Sequence, residues 1–166
     1  MTLGNSTEIV EDAARWRVAA SVVLSLLGLG ISIYLTVAHF IGTQALSCPG
    51  GGGVINCAKV TTSAQSHFLG MPVAVLGLAY YLVMVGINLP VAWRAADRRI
   101  HLARLALAVV GMAFALYLVS AELVIIGNIC LWCTGVHIVT FLLFVLIIST
   151  VPRMIGWGAE PVAQGA

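Results

Sequence analysis

Four stretches of this chain are apolar over about twenty residues each, at 18–40, 73–93, 105–126 and 129–151, and a single acid, Glu122, interrupts them. A helix rises about 1.5 Å per residue, so each stretch is long enough to cross a hydrocarbon layer of about 30 Å. Together they occupy more than half of the 166 residues and leave no room for a second folded domain. Composition agrees: mean hydropathy is +1.07, and charged residues make up 8% of the chain, against about 25% in soluble domains. A water-soluble fold is therefore excluded. The expected fold is an all-α integral membrane protein, a four-transmembrane-helix bundle. A polar N-terminal tail (1–14) precedes the transmembrane domain (15–152), which carries an outer loop (41–71) between the first two helices. A C-terminal tail (153–166) follows. The surroundings are membrane lipid, and no nucleic-acid partner is expected.

Charge distribution orients the bundle, because Lys and Arg flanking a span remain on the cytoplasmic side. Arg15 and Arg17 precede the first span, Arg94, Arg98, Arg99 and Arg104 surround the link between the second and third, and Arg153 follows the fourth. The opposite side has Lys59 alone. Both termini are thus expected in the cytoplasm, with loop 41–71 and the turn at Gly127 outside, in a cell inner (plasma) membrane. Trp16, Trp93 and Trp157 fall near the cytoplasmic ends, where indole favours the interface. The first span is too long for the apolar region of a cleaved signal peptide, and Cys48 lies too far along the chain for a lipoprotein cysteine.

The loop opens with Cys48-Pro49 and four glycines, a composition that favours a turning or flexible backbone and a mobile Cys48. Residues 58–68 lack Gly and Pro and are compatible with a short surface helix. Pro72 suits the first turn of the second span. Asn128 is a candidate N-cap for the last helix, which places Cys130 in its first turn and Cys133 one turn further.

All four cysteines fall on the outer side, where, in a bacterium, thiol pairs can become disulfides. Cys130-Leu131-Trp132-Cys133 has the C-x-x-C spacing of dithiol centres, and residues three apart share a helix face. Unpaired N–H groups at a helix N-terminus favour the reactive thiolate. Cys133 is expected about 4.5 Å deeper than Cys130. The outer thiol can then face a protein thiol, and the inner one can face a lipid-soluble electron acceptor. Cys48 and Cys57, eight residues apart, have slack for a disulfide that forms and breaks. Exchange between Cys57 and Cys130 would join the two pairs. Two alternatives compete. Structural zinc is disfavoured by the wide first gap, and inert disulfides by the inability of an i, i+3 bridge to staple anything distant.

These residues resemble the vitamin K epoxide reductase family, in particular its bacterial members. The features are the loop pair Cys48 and Cys57, Ser63 six residues past the second cysteine, the segment Leu69-Gly70-Met71-Pro72-Val73-Ala74-Val75-Leu76-Gly77, and the C-x-x-C opening the last helix. The resemblance covers residues 15 to 150. It implies a helical bundle around a quinone pocket, with menaquinone or ubiquinone as electron acceptor. It further implies that Cys133 reacts with the quinone, Cys130 exchanges with Cys57, Cys48 meets the partner thiol, and Ser63 supports the chemistry by hydrogen bonding. Many bacterial relatives carry a fused thioredoxin-like domain; here the chain ends at Ala166, so a separate thioredoxin-like protein on the outer side is the expected partner. His137 stands where vertebrate relatives place a tyrosine near the quinone, and it is a candidate to hydrogen-bond or protonate a quinone oxygen. Glu122, near the outer surface, is either a functional acid or a snorkelling one.

The function expected is a thiol:quinone oxidoreductase that reoxidises the partner and supports disulfide formation, using the catalytic set Cys48, Cys57, Ser63, Cys130 and Cys133, with no metal. The alternatives are a quinone or quinone-epoxide reductase of the vertebrate kind, and a non-catalytic scaffold braced by disulfides. A four-helix thiol oxidase of another lineage is disfavoured, because there the C-x-x-C lies in the first outer loop.

Overall fold

The computed structural model describes residues 4–42, 46–48, 53–95 and 97–154, with side chains from Arg15 to Val151. Helix α1 runs Gly4–Ile41, so the polar residues 4–14, expected as a tail, continue the helix. The loop contains α2 (Cys57–Thr61), a 3₁₀ turn (Ala64–Ser66) and a hairpin of β1 (His67–Phe68) and β2 (Met71–Pro72). Then follow α3 (Val73–Asn88), α4 (Pro90–Arg94), α5 (Arg98–Ser120) with a π-helical turn (Ala121–Ile126), and α6 (Leu131–Met154). Pro49 with the first three glycines of the run (50–52), Trp157 and the tail from residue 155 lie outside the described residues.

Three helices are long and apolar enough to cross a membrane, Arg15–Ile41, Arg98–Ile126 and Leu131–Val151, and Val73–Asn88 is a shorter apolar helix. The chain is a multi-pass helical membrane protein. The second span, expected to run unbroken over 73–93, stops at Asn88. Pro90 has no N–H and excludes helical backbone from the residue before it. Leu89 accordingly sits at φ −56°, ψ 146°, and α4 starts afresh with Pro90 in its first turn.

Helix α1 packs on α3 and α6, and α5 on α6 and α3, closing a four-helix bundle. The side of α1 that faces the bundle carries mostly small residues at helical spacing: Ser21, Ser25, Gly28, Ser32 and Ala38 are buried, with Leu35 the large residue among them. Large residues such as Val23, Leu26, Leu27, Ile33 and Val37 are exposed. Lipid is as apolar as leucine, so large side chains gain nothing by turning inward, and small ones let backbones approach. Gly28 is the closest case, since a Cβ there would overlap the Tyr81 ring.

At the end of the bundle away from the cysteines, a polar network joins the helices. Trp93 Nε1 donates to Ser21 Oγ (3.2 Å) and Asn88 Nδ2 to Ser25 Oγ (3.1 Å). The Arg104 guanidinium lies 3.8 Å from the Trp93 ring centroid, contacts His101 Nδ1 at 2.8 Å, and donates to the Ile87 carbonyl. Trp93 and Arg104, expected at the interface, are buried (6% and 0% exposed). Their placement follows from the helix break: α3 ends at Asn88, and Arg104 supplies a donor to one of the carbonyls that a helix end leaves open.

Candidate active site

Two backbone hydrogen bonds bring the loop to the bundle. Ile129 N–H donates to Val54 O (2.8 Å) and Asn56 N–H to Ile129 O (3.1 Å), a parallel bridge between Ile55 and Ile129. Asn128 reinforces it, with Nδ2 donating to the carbonyls of Gly53 and Val54 (2.9 and 3.2 Å) and Oδ1 accepting from Lys59 Nζ. Asn128 is therefore not the helix cap expected from the sequence. The cap position belongs to Cys130, whose carbonyl accepts the N–H of Thr134 (2.8 Å) and whose Sγ accepts that of Cys133 (3.4 Å). Asn56, in contrast, caps α2 through Oδ1 and the N–H of Lys59 (3.0 Å), which sets Cys57 at the start of that helix.

The bridge places Cys57 and Cys130 in one buried cluster with Val60, flanked by Cys48, Ile126, Trp132 and Cys133. Cys48 and Cys57 form a disulfide, and Cys130 and Cys133 are free thiols. Cys130 is fully buried rather than facing outward, while Cys48 is half-buried. Cys130 precedes the span Leu131–Val151. The hydrogen bond from the Cys133 side chain holds its thiol below the usual range against the opposing effect of burial, and the Cys133 N–H adds to this.

Cys133 opens on the other side into a cavity of about 400 Å³ lined by α1, the loop, α3, α5 and α6. The lining is largely apolar, and includes Leu35, Leu76, Val110 and Phe114. Its polar members include Ser63, Glu122 and His137. Ser63 Oγ donates to Val60 O (2.7 Å), and Ser63 O accepts both the N–H and the hydroxyl of Ser66. His137 Nδ1 is buried without a hydrogen-bond partner. Tyr81 is fixed by Thr140 Oγ1 at 2.8 Å, and Tyr80 packs edge-on against Tyr81. A cavity of this size with few polar groups suits a flat, mostly apolar ring with carbonyl oxygens.

The structure thus brings Cys57 beside Cys130, and Ser63, Cys133 and His137 onto one cavity. Sequence reasoning missed the clamp around Cys48. Trp132 Nε1 donates to Ser47 O (2.9 Å), and Ser47 N–H donates to Tyr34 Oη (2.9 Å). The two rings pack at 4.6 Å. Both polar groups of the residue before Cys48 are held; the indole inside the C-x-x-C was the available signal.

Residues 19–148 match the profile of the Vitamin K epoxide reductase family. The chain belongs to that family. Vitamin K epoxide reductase family membership makes it a membrane oxidoreductase of thiol and quinone chemistry in general terms. Among individually curated proteins the chain has no significant match.

Proposed function

We propose that this protein is a thiol:quinone oxidoreductase of the plasma membrane, with both termini in the cytoplasm and its cysteines outside. It takes electrons from a separate thioredoxin-like dithiol, passes them to menaquinone or ubiquinone, and so supports disulfide formation. The observation that carries this reading is the division of labour at the C-x-x-C: Cys130 is packed with Cys57 of the loop disulfide, and Cys133 lines the apolar cavity.

The partner thiolate attacks Cys48, Cys57 leaves as thiolate, and the partner's second thiol releases Cys48 while closing the partner's disulfide. Cys57 then attacks Cys130 in the inner disulfide, and Cys133 leaves. Cys48 resolves the mixed disulfide by attacking Cys57, which restores the loop disulfide and frees Cys130. The arrangement with an oxidised loop pair and a reduced inner pair, as found here, is the one poised for the last step. In that step, two electrons and two protons leave Cys130 and Cys133, whose disulfide re-forms, and a quinol results. The quinone supplies the two-electron acceptor. Ser63 supports the site by hydrogen bonding, and the unpartnered His137 Nδ1 is the group available to a quinone oxygen.

The test is quinone reduction driven by a reduced thioredoxin-like protein. Cys133→Ser is expected to lose turnover entirely while keeping the Cys48–Cys57 disulfide. Undiminished turnover in that variant refutes the assignment.

A further inference from the structure

The steps above leave Glu122 unused. It is the sole acid within the three long spans, it is 6% exposed, and it therefore does not snorkel to the surface. The π-helical turn holds it in place: its carbonyl accepts the N–H groups of both Gly127 and Asn128, and Gly127 ends the turn at φ 64°. Glu122 and His137 line both the central cavity and a second one of about 390 Å³ beside α5 and α6. Among the described residues, neither lining contains a lysine or arginine. A carboxyl group at this depth is costly unless its acceptor capacity is used. Here the carboxyl neighbours the Cys130 backbone and the Cys133 side chain, and Glu122 lines the same cavity as Cys133.

A purely structural role, tying the turn to α6, needs the backbone contact alone. The contact with the thiol goes further, since the Cys133 proton must leave before its sulfur can give up an electron pair. We propose that Glu122 is a catalytic base that accepts the Cys133 proton. The inference rests on the reading of Cys133 as the quinone-reducing thiol. In the balanced step, the Cys133 S–H bond breaks and its proton moves to the Glu122 carboxylate. The sulfur then bonds to Cys130 as two electrons pass to the quinone. The Glu122 proton and the Cys130 proton end on the two quinone oxygens, and the carboxylate is regenerated. The other titratable groups facing this space are His137, His39, Tyr80 and Tyr81. Of these, His137 shares both cavities with Glu122 and is placed to pass the proton on.

The experiment uses the full chain in lipid nanodiscs, with dithiothreitol as donor and a short-chain benzoquinone as acceptor. Glu122→Gln is expected to lower turnover at least about a hundredfold, the usual scale for losing a general base, and Glu122→Asp to retain more activity than Glu122→Gln. A second readout is the pH profile of single-turnover quinone reduction by the pre-reduced protein: the wild-type rate is expected to rise with pH as the carboxyl that takes the proton ionises, and Glu122→Gln to lose that rise. If Glu122→Gln fails to fold, Glu122→Asp is expected to lower turnover, because its shorter side chain draws the carboxyl away from the thiol. A pH profile shared by Glu122→Gln and wild type overturns the inference, and so does turnover within threefold of wild type. A wild type that reduces no quinone overturns the proposed function itself, whereas equal turnover in wild type and Glu122→Gln overturns the role of Glu122 alone.

Discussion

The working of the site turns on side chains that hold the cysteines as much as on the cysteines themselves. Cys130 occupies the cap of α6, so the sulfur proposed to carry the redox step is also an acceptor for a helix N–H. Trp132 has an equally double position, inside the C-x-x-C and bonded to the peptide that precedes Cys48. Trp132→Phe keeps the ring packing against Tyr34 and removes one neutral hydrogen bond, worth about 1 kcal/mol, which raises the open population around Cys48 about fivefold. Alkylation of Cys48 in the reduced protein should accelerate by that factor. An unchanged rate would mean that the indole does not restrain the loop. From sequence, the four cysteines could be picked out as candidates by residue type and spacing, and Ser63 and His137 through the family resemblance. The cap could not, because a thiol is a poor capping group by ordinary preference and Asn128 is a good one. Tertiary demand moved Asn128 to the loop.

At the scale of elements, the loop is fastened by a short bridge and one asparagine. Asn128→Ala deprives the carbonyls of Gly53 and Val54 of a side-chain donor and Lys59 of its acceptor. It is expected to lower stability by about 1–3 kcal/mol, seen as a lower thermal midpoint in detergent, and to slow exchange between the cysteine pairs. The break in the second span was legible, since Pro90 is present and lacks an N–H; reading hydropathy alone ran across it. The hairpin was less so. Its turn residues Leu69 and Gly70 both have positive φ (52° and 80°), and only the glycine advertises that conformation. The π-helical turn leaves no mark in hydropathy at all, although it is what sets Glu122 beside the thiols.

For the whole molecule, the two ends of the bundle are built differently. The cysteine end surrounds a cavity, while the other end is closed by Arg104, Trp93, His101 and Asn88. Arg104→Met keeps much of the side-chain volume but leaves the Ile87 carbonyl without this donor. It should destabilise the protein by about 1.5–3 kcal/mol, the range for a hydrogen bond to a charged group, with little effect on quinone turnover measured below the melting transition. A stability equal to wild type would show that the guanidinium is not the fastening of α3 to α5. The four-helix architecture was legible because hydrocarbon thickness dictates span length. The inward face of α1 was not, because its buried side is the one with the smaller residues, and hydropathy does not register it.

The cluster around Cys57 and Cys130 has a further consequence for the cell. Both sulfurs are shut away, at 1% and 0% exposure, whereas Cys48 is half-buried. On the proposed path, small thiols diffusing past the membrane find no buried sulfur to attack directly and can deliver electrons only through the loop disulfide at Cys48. The fold then acts as insulation on a wire, with Cys48 as the contact left open.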